Sequence, residues 1–296
     1  MKRLLITLAA AAMALSAASA EEIEKVYDFG DISSIRAGNN FNIHVTYGRS
    51  DKVRVVCDSE YEQFLDVRYV AQDRLELFLE QDSRIFKLKK LPKNGIPAVE
   101  VFLEMDDISL INLSGAAKAS FTGNFKSSNL NIDLSGAAGL NGLMVNGNSL
   151  DADCSGAASA DITGNFKKYV EVEVSGAAKL SLEGDSDALE ADISGASKLE
   201  CTGNFNTCEI NCSGASKAEI TGKGTRAEYE CSGASSIDAK DFHAKSVDME
   251  LTGASGAKVY ASEELHYNVS RSSKMTYYGD AKLYDRNINS NVVKGR

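Results

Sequence analysis

The sequence predicts an all-β fold: a single-stranded, right-handed parallel β-helix, or solenoid, with about 20 residues per coil and an irregular N-terminal β cap. The phrase Ser-Gly-Ala returns at a near-constant interval, and apolar and polar residues alternate on either side of it. The copies begin at Ser114, Ser135, Ser155, Ser175, Ser194, Ser213 and Ser232, with variants at Thr252 and Ser270. The successive intervals are 21, 20, 20, 19, 19, 19, 20 and 18 residues, and such a period is typical of solenoids.

Alternation around each copy predicts two strands per coil. The residues one and three positions before each copy are apolar and the residue between them is polar, as in Ile111-Asn112-Leu113. This pattern is typical of a strand with one buried face. A second strand follows the copy, with Ala119 and Phe121 as inward sites in the first coil, and a second turn reads Thr-Gly-Asn-Phe from Thr122. The second copy aligns only with a gap between Gly139 and Gly147.

A single coil is too small to fold alone. It offers about five inward side chains, each contributing roughly 1.5–3 kcal/mol when buried, whereas ordering its backbone costs about 1–2 kcal/mol per residue. Neighbouring coils must therefore stack at about 4.8 Å per step and share hydrogen bonds. The right hand is the usual one for parallel crossovers. A left-handed helix with a coil of about 18 residues remains the alternative.

The start of the chain predicts export. Lys2 and Arg3 precede an apolar run from Leu4 to Leu15, and Ala18-Ser19-Ala20 is a small-residue cleavage site, so residues 1–20 are expected to be a signal peptide. We expect the remainder in the periplasm, on the outer-membrane surface or secreted, with no further stretch apolar enough to cross a membrane as a helix.

The remaining sequence divides into three parts. We assign 21–108 to irregular N-terminal coils and a cap, 109–278 to the regular repeats, and 279–296 to a C-terminal cap or tail. A separate small β-domain is the alternative for the first part. A short helix is expected over Asp58–Leu65.

The charge of the mature chain disfavours anionic partners. The sequence has 32 basic and 42 acidic residues, and removal of Lys2 and Arg3 with the leader leaves 30 basic residues, a net charge of −12. Nucleic acid and anionic membrane surfaces are therefore unfavourable partners.

Three sequence features together resemble a known family. They are the leader, the start Asp31-Ile32-Ser33-Ser34-Ile35 with the strand Asn40-Phe41-Asn42-Ile43-His44-Val45, and the recurring Ser-Gly-Ala and Thr-Gly-Asn-Phe phrases. The chain resembles the exported head GIN domain proteins, autotransporter-adhesin-like proteins common in Bacteroidetes. The resemblance covers nearly all of the mature chain. It implies a β-helical surface or periplasmic protein and supplies no catalytic residues.

Carboxylates recur at two outward positions of the strand before each copy. One column contains Asp133, Asp153, Glu173, Asp192, Glu230 and Glu250, and the other contains Asp151, Glu171, Glu190, Glu209, Glu228 and Asp248. Stacking would place like charges about 5 Å apart, at a cost of up to about 1 kcal/mol per pair in water. One hypothesis is that this face binds Ca²⁺ or a cationic partner, since calcium prefers carboxylate oxygens. The candidate calcium ligands are Asp133, Asp153, Glu171, Glu173, Glu190 and Asp192. We favour the simpler interpretation, a solvated polar face.

Basic residues form two further groups. A lysine column contains Lys118, Lys179, Lys198, Lys217 and Lys274. It could bind sugar acids, although we favour an interpretation in which it offsets the acidic columns. The basic stretch Arg84–Lys93 could contact an anion or polysaccharide, and we favour a solvated loop there because Pro92 and Pro97 disrupt regular structure.

The six cysteines do not follow a zinc pattern. They are Cys57, Cys154, Cys201, Cys208, Cys212 and Cys231. Cys212 and Cys231 fall on adjacent coils, and export would permit a disulfide between them. We favour buried thiols acting as small apolar residues.

These observations favour a non-enzymatic, exported cell-envelope solenoid that acts as an adhesin-like binding protein or a structural protein. No cofactor other than a possible Ca²⁺ is expected, and a glycan or a surface protein is the expected kind of partner. The alternative is a polysaccharide lyase or glycoside hydrolase of the pectinase-like type. A lyase would need a carboxylate cluster for calcium with a basic residue nearby, and a hydrolase would need converging carboxylates in a groove. A third possibility is a stalk or scaffold that oligomerises end to end.

Overall fold

The computed structural model describes residues 21–71, 73–79, 98–287 and 291–295. The predicted leader and the basic stretch Arg84–Lys93 lie outside the described residues. The N-terminal strands are β1 (Glu22–Asp28), β2 (Ser34–Ala37), β3 (Phe41–Tyr47), β4 (Lys52–Asp58), β5 (Leu65–Val70), β6 (Arg74–Leu79) and β7 (Val99–Met105). A 3-10 helix, Ser59–Phe64, confirms the short helix predicted there. No helix in the described ranges is long and apolar enough to cross a membrane.

The remaining strands build the regular part of the chain. They are β8 (Leu110–Leu113), β9 (Lys118–Thr122), β10 (Asn124–Lys126), β11 (Asn129–Leu134), β12 (Gly139–Cys154), β13 (Ser159–Thr163), β14 (Phe166–Val174), β15 (Lys179–Glu183), β16 (Ser186–Ile193), β17 (Lys198–Cys212), β18 (Lys217–Cys231), β19 (Ser236–Leu251), β20 (Gly256–Val269), β21 (Lys274–Tyr278), β22 (Lys282–Asp285) and β23 (Val292–Lys294).

Successive coils pair in parallel and in register, which confirms the predicted β-solenoid. Asp133 lies beside Asp153, and Glu171 beside Glu190, one coil apart. The strand residues that precede each Ser-Gly-Ala form one wall, here called wall A, and the strand residues that follow it form wall B. A long strand such as β17 begins on wall B and ends on wall A. The hand of the coil stays a prediction.

The core lies between the walls and consists of the predicted inward columns. On wall A the residue before each Ser-Gly-Ala is at most 3% exposed in every copy, from Leu113 to Val269. Where the second copy needed a gap, a β-bulge shifts the register between Leu140 and Leu143, with Gly142 at φ +67°. The gap is therefore a local bulge in an unbroken stack.

The Ser-Gly-Ala corner holds one coil against the next through its glycine. The glycines are at φ +69° to +74° in all eight copies that have one: Gly115, Gly136, Gly156, Gly176, Gly195, Gly214, Gly233 and Gly253. The carbonyl oxygen of Gly176 accepts a 2.7 Å hydrogen bond from the amide of Ala196 in the next coil. A Cβ on Gly195 would lie 2.6 Å from that same oxygen. The corner therefore needs glycine for its conformation and for the close approach.

A hidden copy of this corner lies in the N-terminal segment. Asn39, at φ +57°, accepts the amide of Ala116 through its carbonyl oxygen at 2.7 Å, the contact that glycine makes elsewhere. Asparagine is the residue type other than glycine that most readily enters this conformation. The sequence analysis missed it because the phrase there reads Gly-Asn-Asn.

The second corner stacks even more closely. A Cβ on Gly203 would lie 1.8 Å from the carbonyl oxygen of Gly184, and one on Gly222 would lie 1.7 Å from that of Gly203. Side chains beside these glycines form a ladder, because the Asn165 side-chain oxygen accepts the amide of Asp185 at 2.9 Å. The Asp185 carboxylate in turn accepts the amide of Asn204 at 2.8 Å. The recurring Thr-Gly-Asn phrase thus supplies hydrogen bonds between coils.

The order of the N-terminal coils in space differs from their order in the chain. β2 lies between β6 and β8, and β3 lies between β7 and β9, so the first coil in sequence is the second in space. Beyond it, β5 pairs antiparallel with β6, and β4 pairs antiparallel with β7 and β1. These antiparallel strands end the parallel stack and cover the core at this end.

The C-terminal segment continues the stack without the repeated phrase. β22 pairs in parallel with β20 on wall A, and β23 pairs in parallel with β21 on wall B. Leu283 takes the column of buried Leu265 and is 38% exposed. The last coil therefore follows the same geometry with a less complete core.

Replacing the first-corner glycine by alanine should destabilise the stack. We expect Gly195→Ala to lower the free energy of unfolding by about 1–3 kcal/mol, because the left-handed conformation is strained for alanine and Cβ meets the Gly176 carbonyl. Guanidinium unfolding followed by circular dichroism measures this change. Gly256→Ala is the control, since the nearest atom to its Cβ would be 3.9 Å away. Equal effects from the two substitutions would contradict the claim that the corner specifically needs glycine.

Candidate functional site

The two predicted acidic columns lie side by side on the outward face of wall A. Twelve carboxylates share this acidic face: Asp133, Asp151, Asp153, Glu171, Glu173, Glu190, Asp192, Glu209, Glu228, Glu230, Asp248 and Glu250. Each column runs in direct register, for example from Asp151 through Glu171 and Glu190 to Glu209. Strict alternation directs these side chains outward while their neighbours fill the core. The structure therefore brings together all six candidate calcium ligands on one face.

The acidic face has almost no internal neutralisation. Within the described part of the chain, Asp248 is the only one of the twelve in an ion pair, with Arg286 donating to its two oxygens at 3.0 and 2.7 Å. The Asn112 amide donates to Asp133 at 2.7 Å, and the Asn211 amide donates to Asp192 at 3.0 Å. Both amides replace a carboxylate in the column and lower the local repulsion without adding charge.

Partial burial and crowding raise the pKa of three carboxylates on this face. For Asp153 the main cause is burial, followed by the charges of Asp133 and Asp151. The pKa of Glu171 and that of Glu209 are raised in the same way, by burial first and then by carboxylates on their own and neighbouring coils. The charged form of this face is thus electrostatically unfavourable in the absence of a counterion.

The lysine column lies on wall B and neutralises a different set of carboxylates. Lys198 Nζ lies 2.5 Å from Glu200 and 3.4 Å from Glu219, and Lys179 Nζ lies 2.9 Å from Glu200. Lys217 also pairs with Glu219. These lysines therefore do not offset the acidic columns as we expected. Their partners stand two residues further along the same strand or at that position on the next coil, and so point to the same side of the sheet.

The lysines lower the pKa of the glutamates they contact, whereas the pKa values of Glu171 and Glu209 on the acidic face are raised. Hydrogen bonds from Lys198 and then Lys179 lower the pKa of Glu200, and a hydrogen bond from Lys217 lowers that of Glu219. Wall B is consequently balanced around Glu200 and Glu219, whereas the acidic face of wall A carries excess negative charge.

A groove of about 300 Å³ follows the edge of the acidic face at the Ser-Gly-Ala corner. Carboxylates and hydroxyls of successive coils line it, together with one amide and two thiols: Asp192, Ser194, Asn211, Cys212, Ser213, Glu230, Cys231, Ser232, Glu250 and Thr252. The groove therefore offers hydrogen-bond acceptors and donors at the spacing of the coils.

The acidic columns do not converge on a point. No group of three or more His, Cys, Asp or Glu side chains in the described ranges is arranged to hold a metal ion. Calcium takes six to eight oxygen ligands around one centre, whereas these carboxylates extend in parallel from a nearly flat sheet. The calcium hypothesis thus gains no support from this geometry.

All six cysteines are buried thiols in the structure. Burial raises the pKa of Cys154 to about 12 and that of Cys208 to about 12. Cys212 and Cys231 are direct register partners on β17 and β18, as the spacing predicted.

A polar cluster that the sequence analysis missed lies in the N-terminal cap. Glu100 accepts hydrogen bonds from the Asn42 amide and pairs with His44 Nε2, both at 2.7 Å. His44 also stacks on Phe102, with ring centroids 4.7 Å apart, and the Arg54 guanidinium lies 3.9 Å from that ring. The cluster depends on β7 lying between β3 and β4, a pairing that the local sequence pattern does not reveal.

Charge removal on the two walls should have opposite effects. The pKa of Glu171 is raised on folding, so its ionised carboxylate destabilises the folded protein. This penalty is fully present above the folded pKa and disappears below the unfolded value of about 4.3. The pKa of Glu200 is lowered, so its contribution is present above about 4.3 and is lost as pH falls through the lower folded pKa.

At pH 7 we therefore expect Glu171→Gln to stabilise the protein by about 0.2–0.5 kcal/mol and Glu200→Gln to destabilise it by about 0.2–1 kcal/mol. Glu171 is exposed and the Glu200 side chain is 32% exposed, so solvent screening keeps these values small. Thermal melts at pH 7 and below pH 4 measure the difference. Shifts of the same sign at pH 7, or shifts that persist unchanged in acid, would contradict the interpretation.

Comparison with known proteins identifies one matching family and several similar solved structures. Residues 31–170 and 166–281 match the family described as "Putative auto-transporter adhesin, head GIN domain". A crystal structure titled "putative adhesin" from Parabacteroides distasonis ATCC 8503 is 16% identical, with TM-score 0.47, over 93% of this chain and 97% of that chain. A "putative adhesin" from Parabacteroides merdae ATCC 43184 is 14% identical with TM-score 0.47 over the same shares.

A third structure, titled "Putative lipid binding protein" and also from Parabacteroides distasonis ATCC 8503, is 14% identical with TM-score 0.45 over 93% of this chain and 97% of that chain. A search of curated proteins finds no match. The two family matches together span most of the sequence and agree with the resemblance seen in its repeated phrases. The chain therefore belongs to the head GIN domain family of auto-transporter-adhesin-like proteins.

Proposed function

We propose that this chain is an exported, adhesin-like binding protein of the cell envelope whose acidic face docks a cationic surface protein. The observation that carries the proposal is the contrast between the walls. The twelve carboxylates of the acidic face on wall A make a single ion pair among the described residues, whereas Glu200 and Glu219 of wall B are paired with lysines. Family membership supports an adhesin-like role in general.

The geometry of the acidic face suits an extended ligand. Its two columns cross seven coils, from Asp133 to Glu250, and successive coils are about 4.8 Å apart. Like charges at this spacing produce a field that attracts cations along the whole length of the face. A cationic partner would also relieve the repulsion that raises the pKa of Glu171 and Glu209. Attraction to the partner and relief of the repulsion between carboxylates therefore both favour binding of a cationic partner to the acidic face.

The charge of the face selects among partner classes. Acidic glycans and nucleic acid are repelled, and a neutral glycan gains nothing from the excess charge. A single calcium ion prefers a convergent site, which the columns lack. A basic segment of a surface protein can instead lie along the columns, where the long side chains of Lys and Arg reach the carboxylates of successive coils.

The same arrangement does not suit the lyase or hydrolase alternative. A glycosidase places two carboxylates across the bond it cleaves, and the carboxylates of wall A stand beside one another on a single face. Export is proposed from the leader-like residues 1–20, and the compartment follows from that proposal.

An oligolysine peptide labelled with a fluorophore tests the binding proposal. Anisotropy titration at low salt should show saturable binding that weakens as salt is raised, since screening shortens the range of the interaction. We expect the double variant E171Q/E190Q to weaken binding by about 2- to 30-fold, since each exposed ion pair contributes ~0.2–1 kcal/mol.

The control is D161N/E183Q, which removes the same charge from wall B. Asp161 and Glu183 are exposed on β13 and β15 and belong to neither acidic column. This variant should bind within about 1.4-fold of the wild type, which corresponds to the weakest exposed ion pair, ~0.2 kcal/mol. Equal weakening by the two variants would mean that net charge alone drives binding, and absence of binding at low salt would contradict the proposal outright.

A further inference from the structure

Cys212 and Cys231 stand apart from the other cysteines because they are in direct register. They are Cα partners on the adjacent parallel strands β17 and β18. Cys154 occupies the same column, but its partners are Leu134 and Val174. The other three cysteines likewise have apolar register partners. Cys57 pairs with Ile23, Cys201 lies between Leu182 and Ile220, and Cys208 lies between Leu189 and Ala227.

The spacing of the coils brings the two thiols into bonding range. Register partners on neighbouring strands lie about 4.8 Å apart, and disulfides join Cα atoms that are about 4.4–6.8 Å apart. Both side chains point to the same side of wall A, since both fill the buried column before the corner at 3% and 2% exposure.

We propose that Cys212 and Cys231 form a disulfide that covalently joins two successive coils at the edge of the acidic face. The inference rests on the proposed export, because an oxidising compartment is where such a bond forms and persists. The bond would lie along the groove that both cysteines line, beneath Asn211 and Glu230 of the two joined coils. It would fix the spacing between these two coils, and with it that of their register partners Glu209 and Glu228.

The reaction is a thiol–disulfide exchange with an external disulfide as oxidant. The Cys231 thiolate attacks one sulfur of that disulfide and releases the other as a thiolate, giving a mixed disulfide. Cys212 then loses its proton and attacks the Cys231 sulfur, which expels the second external thiolate. The protein loses two electrons and two protons, and the external disulfide becomes two thiols.

Side-chain ionisation favours this order of attack. The neighbouring Cys212 thiol lowers the pKa of Cys231, whereas Cys231 and burial raise the pKa of Cys212. Cys231 is therefore the better nucleophile. Because both thiols are almost fully buried, the exchange is expected while the coils form or when the corner opens transiently.

Refolding in a glutathione redox buffer tests the proposal. Reduced, unfolded mature chain is refolded with oxidised and reduced glutathione, unfolded again without reductant, alkylated and digested with trypsin. Mass spectrometry should find the peptide of residues 199–217 linked to that of residues 227–240 and four alkylated cysteines in the whole chain. The linkage should persist in C208S and vanish in C212S.

Thermal melts provide a second measurement. Reductant should lower the melting temperature of the oxidised wild type and of C154S, which keeps the pair, and should leave C231S unchanged. Six alkylated cysteines after refolding, or a disulfide confined to residues 199–217, would overturn the proposal. Refolding in glutathione does not depend on export, so this result is separate from the outcome of the oligolysine titration.

Discussion

The structure depends on the contact between the corner glycine of one coil and the corner of the next. The Gly176 carbonyl accepts the Ala196 amide at 2.7 Å, and the space beside it is too small for a Cβ on Gly195. This contact sets the distance and the register between coils. Because register is kept at every corner, a residue type that recurs in the sequence becomes a straight column in space.

Columns convert sequence repetition into surface charge. On wall A, recurring Asp and Glu residues produce a face of excess negative charge. On wall B, lysines and glutamates recur two residues apart and cancel one another locally. The buried columns behave in the same way, and only where cysteines recur in successive coils, at Cys212 and Cys231, do two thiols meet. The backbone scaffold is therefore uniform, and the residue types that recur in each column determine the chemistry of its surface and core.

The repeated part of the fold could be predicted because its period and alternation are strong local signals. The corner glycines, the buried columns and both acidic columns all follow from them. Other features could not be predicted, since they depend on pairings between distant segments. The insertion of β2 and β3 between later coils creates the His44–Glu100 cluster, and the last coil lacks the phrase. The pairing of Lys198 with Glu200 was missed although their spacing of two residues would have revealed it.

Deletion of one full period tests the stacking account most directly. Removal of residues 195–213 joins Ser194 to Gly214 and recreates the corner with every column in phase. The shortened chain should keep its β-sheet circular dichroism and unfold cooperatively. Removal of residues 200–213, which breaks the phase, should abolish both. If both deletions unfold the chain, or if both leave it folded, the stacked corners are not what determines the fold.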